Sequence, residues 1–123
     1  MHATGPAVPI LRIFDEAEAR DFYLRYLGFA VVFEHRFAPD MPLYMSVKRG
    51  GCELHLSEHH GDATPGSALR IEVADVDAVH AELATRGHKR LRPAIQDQSW
   101  GARELMLTDP FGNRLVFWQE AAS

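Results

Sequence analysis

The densest group of chemically capable side chains in this 123-residue chain is the stretch ELHLSEHH, residues 53–60. It brings His55, Glu58, His59 and His60 together just after the single cysteine, Cys52. Imidazoles and a carboxylate at short spacing are the raw material of a zinc or iron site, and a cysteine near a histidine is that of a nucleophile with its base. The spacing speaks against both. Side chains on an extended strand alternate between faces, so His55 and Glu58 point to opposite sides, as do Cys52 and His55. His59 and His60 fall in a loop and do not form the i, i+4 pair of a metal-binding helix. The stretch therefore reads as a solvated His-rich loop preceded by one strand histidine. No G-x-S-x-G elbow, phosphate loop or dinucleotide fingerprint is present, and no catalytic constellation is expected.

A different chemistry is suggested near the end of the chain, in QSWGARELMLTDPFGNRLVFWQE, residues 98–120. Trp100 stands in a Gly-containing loop, where burial is hard to arrange. An indole there serves as a platform for a flat apolar ligand, or covers the end of the core, or packs in a contact between subunits. Trp118, on the last strand, suits core, interface or ligand contact equally.

These residues need elements to position them. In DEAEARDFYLRYLGF, apolar positions Ala19, Phe22, Tyr23, Tyr26 and Leu27 recur at helical spacing, with Asp15 as cap and Gly28 as stop. In DVDAVHAELATRGH, Val76, Val79, Ala81, Leu83 and Ala84 do the same, with Asp75 or Asp77 near the cap and Gly87 at the end. Each helix follows one strand-like run, AVPILRI or ALRIEVA. After the first helix come FAVVFEHRF, PLYMSVKR and GCELHLSE. After the second come a segment around Arg90 to Ile95, ARELMLT and NRLVFWQE. The order predicts an α+β fold of two βαβββ modules, about residues 7–57 and 68–120, joined by residues 58–67 in a single domain. Each module is a mostly antiparallel sheet with a helix on its convex face. Alternation assigns Val8, Ile10, Arg12, Glu53, His55, Ser57, Ala68, Arg70, Glu72, Arg114, Val116 and Trp118 to the concave faces. Leu11, Leu54, Leu56, Leu69, Ile71, Val73, Leu115 and Phe117 go to the helix side.

The composition limits what the concavity receives. Thirteen basic and seventeen acidic residues give a net charge of −4, which argues against a nucleic-acid partner and suits a cationic or neutral small ligand. No run approaches the roughly 20 apolar residues of a membrane helix, and no signal peptide opens the chain, so the expected location is cytoplasmic, with no membrane partner.

The runs AVPILRIFDEAEARDFYLRYLGFAVVFEHRF and QSWGARELMLTDPFGNRLVFWQE resemble the bleomycin-resistance proteins of the vicinal-oxygen-chelate superfamily, which includes glyoxalase I and the extradiol dioxygenases. The likeness spans residues 7–120, and its most specific parts are VPIL, LGF, WGARE and DPFGNRLVF. It implies a paired βαβββ fold working as a homodimer, with ligand clefts shared between chains. It also implies where metal ligands of the superfamily's enzymes would fall: Val8, His55, Ala68 or Leu69, and Val116. Only His55 can coordinate, so neither a metal nor another cofactor is expected.

In bleomycin-resistance proteins the drug's flat bithiazole stacks on aromatic side chains and its cationic tail lies near carboxylates. By that resemblance Trp100 matches a loop tryptophan and Phe33 an aromatic on the strand after the first helix. The expected ligand-binding set is Phe33, Phe37, His55, Arg70, Glu72, Trp100 and Trp118, with Glu34, Glu58, Asp62, Glu72 and Glu104 as further contacts for a cation. Arg70 and Glu72 depart from relatives that present tryptophans on this strand, and are expected to pair with each other or with the second chain. The resulting expectation is a non-enzymatic protein that sequesters a bulky aromatic antibiotic of bleomycin type. The alternatives are a metal-dependent glyoxalase or dioxygenase of the same fold, and a binder of an unrelated aromatic ligand.

Overall fold

The computed structural model describes residues 1–121. Its elements are β1 (Ile10–Arg12), helix α1 (Glu16–Arg20) running directly into a π-helical segment (Asp21–Tyr26), β2 (Ala30–His35), β3 (Tyr44–Arg49), β4 (Cys52–Ser57), β5 (Ala68–Glu72), α2 (Val76–Arg86), β6 (Ile95–Asp97), β7 (Ala102–Thr108) and β8 (Arg114–Glu120). The strands form two sheets of the same design, β1-β4-β3-β2 and β5-β8-β7-β6. In each, the first strand lies parallel to the last and the other pairings are antiparallel. The fold is thus α+β, with two βαβββ modules.

The helices begin where carboxylates can satisfy free backbone N–H groups: Asp15 accepts from Glu18 N, and Asp75 from Ala78 N. The first helix widens after Arg20, with Leu27 N donating to Phe22 O five residues back. The wider turn lets Phe22, Tyr23 and Tyr26 all enter the core, where none is more than 1% exposed. Gly28 then reverses the chain at φ +79°, and a Cβ there would meet the Arg86 guanidinium at 3.0 Å.

Several strands are shorter than the sequence predicts. Pro9 lies in the run AVPILRI, with Pro6 just before it, and the run pairs only over Ile10–Arg12, because proline offers no N–H to a ladder. The segment expected around Arg90 to Ile95 pairs later, over Ile95–Asp97, with Pro93 in the unpaired part. FAVVFEHRF ends as a strand at His35, which leaves Phe37 in the following loop. The core nevertheless follows the expected division: Leu11, Leu54, Leu56 and Leu115 are buried against the helices, with Leu69, Ile71 and Val73 packed at its margin. Ser57, assigned to the concave surface, is buried because the next loop folds over it and Asp62 accepts its hydroxyl proton at 2.7 Å.

The turn DPFGN joins the modules. Asp109 accepts from Tyr23 Oη (2.6 Å) in the first helix, from the backbone of Phe111 and Asn113 (2.8 Å each), and from Asn113 Nδ2 (2.9 Å). Asn113 Nδ2 also donates to Arg12 O in β1, at 2.9 Å. One turn of the second module thus anchors both the helix and the first strand of the first.

Candidate functional site

The first module's concave face gathers aromatic rings around a polar chain. A bulge makes this possible. Val31 lies opposite Val47, but Phe33 lies opposite Ser46, so Val32 is an extra residue in β2. Strict alternation from Val31 would turn Phe33 toward the helix; the bulge turns it to the side of Ser46 and His55. Its ring lies parallel to Tyr44 (6.3 Å, 10°) and edge-on to His55 (5.5 Å), and it is 43% exposed. The same shift places Glu34 opposite Met45 on the helix side, where Arg20 pairs with it.

Under these rings runs a continuous set of hydrogen bonds. Tyr44 Oη lies 2.6 Å from His55 Nδ1, His55 Nε2 lies 3.0 Å from Glu53 Oε2, and Ser46 Oγ donates to that same oxygen at 2.8 Å. The Ser46 hydroxyl and the His55 ring hold the Glu53 carboxyl below its ordinary range. Burial pushes the Tyr44 phenol upward, and the nearby Asp62 charge adds to it. Tyr44, Ser46 and Glu53 are absent from the expected ligand set. Their signal was the pairing of β3 with β4, which sets Ser46 opposite His55, and that register cannot be read from either strand alone.

The second module's concave face is closed by its own charges. Arg70 Nη1 lies 2.8 Å from Glu104 Oε2, and the Arg70 guanidinium sits 5.2 Å from the centre of the Trp118 ring. Glu104 is buried. Its Oε1 accepts from Gln98 Nε2 at 3.2 Å, while Oε2 has the ion pair but no well-directed hydrogen bond. Arg70 therefore pairs with Glu104 rather than with Glu72, because Glu104 lies across β8 from it and Glu72 lies further along the same strand.

The remaining expected residues are dispersed. Trp100 is 68% exposed in a turn closed by Gly101 N donating to Gln98 O. Phe37 is 78% exposed and packs edge-on against His35 (5.0 Å) and His59 (6.3 Å). Glu72 is exposed on β5. The structure thus joins Phe33 with His55, and Arg70 with Trp118, on separate sheets. Most of the carboxylates expected to meet a cation are already engaged: Glu34 by Arg20, Glu58 by the Leu43 N–H, Asp62 by Ser57, and Glu104 by Arg70. A cavity of about 730 Å³ lies between the N-terminal arm, β4 and β5, and its lining draws on both faces: Val8, Glu53 of the first module's hydrogen-bond chain, and Leu69, Arg70 and Glu72 of β5, among others.

The donors do not suit a superfamily-type metal. In the observed register His55 lies beside Ile10 and Val116 beside Arg70, so Val8 and Ala68 sit two residues off those rows. Neither set supplies a second ligand, and among the described residues no three His, Cys, Asp or Glu gather around one point.

Two βαβββ modules with concave, ring-bearing faces define a paired-module α+β architecture. The pattern described as "Glyoxalase superfamily protein" matches residues 4–123, and the chain belongs to that superfamily. No curated protein matches it. Among solved structures, a bleomycin-binding protein complexed with bleomycin is similar at 26% identity and TM-score 0.73, over 95% of this chain and 99% of the other. A glyoxalase/bleomycin resistance protein from Streptomyces sp. CB03234 matches at 27% identity and TM-score 0.63, over 92% and 100%. A bleomycin resistance determinant encoded on the transposon Tn5 shares the fold at 23% identity and TM-score 0.74, over 97% and 100%.

Proposed function

We propose that this protein is a non-enzymatic binder that sequesters a flat aromatic, cation-bearing antibiotic of bleomycin type. The observation that carries the reading is the division of its aromatic rings. Phe22, Tyr23 and Tyr26 are fully buried, whereas Phe33, Phe37 and Trp100 stand open to solvent. The rings lie apart on one chain, and pairing of two chains around a shared cleft would draw them together about an apolar ligand. The likeness to a bleomycin-binding protein supports the choice of ligand. The protein works as a homodimer in the cytoplasm, with each cleft built from the concave faces of two chains. Exposed Val31, Val32 and Phe33 on the edge strand β2 and Met106 on β7 are surfaces that such pairing would cover. Protection needs no bond to be broken: drug held by the protein in excess is withdrawn by mass action.

The test is a titration of the protein with metal-free and copper-bound bleomycin, followed by tryptophan fluorescence. Saturation is expected near one drug per chain. Trp100→Ala is expected to weaken binding about thirtyfold, since stacking and a cation over an indole each contribute about 1 kcal/mol. Its exposure makes a change in stability beyond about 0.5 kcal/mol unexpected. Absence of binding at micromolar drug would remove the bleomycin reading.

A further inference from the structure

We infer that Tyr44 sets the polarity of the cleft: its hydroxyl oxygen, oriented by His55 and Glu53, is a hydrogen-bond acceptor that selects flat aromatic ligands carrying an N–H donor such as an amidinium or protonated amine. This rests on the reading that the concave face of the first module receives an aromatic ligand, and it names what selects among such ligands.

The argument follows the chain of hydrogen bonds from its charged end. Glu53 is ionised and acceptor-only, held in that state by Ser46 and His55. A neutral imidazole facing a carboxylate through Nε2 must place its one N–H there, which leaves Nδ1 as an acceptor. Among the described residues, the hydrogen that Nδ1 accepts, at 2.6 Å, is that of the Tyr44 phenol. Tyr44 therefore spends its proton inward, and the lone pairs of its oxygen remain for whatever lies outside. The phenol stays protonated, because burial and the Asp62 charge both oppose its ionisation. A hydroxyl free to rotate could serve donor and acceptor ligands alike; this one cannot. Phe33, parallel to Tyr44 at 6.3 Å, supplies the adjoining ring surface, so stacking and hydrogen-bond acceptance meet in one place. His55 and Glu53 are positioning residues here, acting on the ligand through Tyr44.

Two measurements on the intact protein at pH 7.5 test this. The first is the tautomer of His55, read from ¹⁵N shifts of the free protein: Nε2–H is expected, and Nδ1–H would overturn the inference. The second compares 2-naphthamidine with 2-naphthoate, which present the same ring with opposite polarity. The amidine is expected to bind about tenfold more tightly, the size of one charge-assisted hydrogen bond. In Tyr44→Phe, which keeps the ring, that preference is expected to fall close to one. In Glu53→Gln the His55 signals should show mixed tautomers, with the preference reduced. Equal or stronger binding of the naphthoate by the unaltered protein would sink the inference, as would failure of both probes while bleomycin still binds, and in either case the proposed function stands. Failure of both probes and of bleomycin would remove the proposed function, and the inference with it.

Discussion

The two concave faces come from modules of one design, yet they handle charge in opposite ways. On the first module the charged group stands at the end of the hydrogen-bond chain away from the aromatic pair: Glu53 holds His55, His55 holds Tyr44, and the phenol and the Phe33 ring carry no charge over them. On the second module the charge lies over the ring itself. The Arg70 guanidinium caps Trp118 and neutralises a buried carboxylate, Glu104. A flat ligand finds the first face open, while on the second it must displace Arg70 from the indole. A repeat of backbone architecture does not carry a repeat of chemistry, because the concave positions are free of the packing demands that fix the helix side.

The comparison holds only while the two modules are held together, and the largest effect is expected at their joint. Asp109 accepts four hydrogen bonds in a site 4% exposed, linking the second module's turn to Tyr23 of the first helix. Asp109→Ala would strip the buried Tyr23 and Asn113 donors of their acceptor. A loss of about 3 kcal/mol is expected, lowering Tm by roughly 10 °C in thermal unfolding followed by circular dichroism. A drop of only a degree or two would mean that packing alone holds the modules.

The second face is broken more gently by Arg70→Ala. Glu104 would remain buried without its cation, at a cost of about 1–2 kcal/mol; the half-exposed guanidinium limits the figure, because water already screens it. The more specific readout is Trp118. Once uncapped, its indole becomes available for stacking, so fluorescence quenching by a flat neutral aromatic should increase. An unchanged Tm and unchanged quenching would show that the pair does not close this face.

Much of this contrast lies beyond what the sequence alone carries. The helix periods, the Asp15 and Asp75 caps and the alternating leucines specify two βαβββ units and the interior side of each strand, because burial imposes strict patterns there. The site depends on features that leave no such pattern. Val32 is one of several apolar residues in FAVVF, and nothing in its type marks it as the extra residue that turns Phe33 around. Arg70 finds Glu104, and His55 finds Tyr44, across strands whose register is set by long-range pairing. Exposure is similar: Trp100 reads as an awkward residue to bury, and it is open, but Ser57 alternates like a surface residue and is covered by a loop.

The smallest expected effect lies on the convex side and separates loss of fold from loss of binding when pH is varied. His88 is nearly buried against Phe22 and Tyr26 and accepts from Arg90 N through Nδ1. Burial holds its pKa below the ordinary histidine value. Asp21, 3.8 Å away, opposes this, and the charges of Arg25, Lys89 and Arg90 reinforce it. The folded state thus favours the neutral ring, so the unfolded chain takes up a proton first as pH falls. The stability His88 contributes is full above the unfolded value near 6.5 and declines below it. Between pH 7.5 and 5.0, Tm is expected to fall by roughly 2–4 °C. Across that range Glu16, Asp21 and Glu82 remain ionised, because their arginine partners hold them below their usual range. His88→Gln removes the titrating group and should flatten the profile; a profile as steep as the parent's would assign the acid loss elsewhere. Because His88 lies on neither concave face, any change in ligand affinity that persists in His88→Gln over the same range belongs to the cleft.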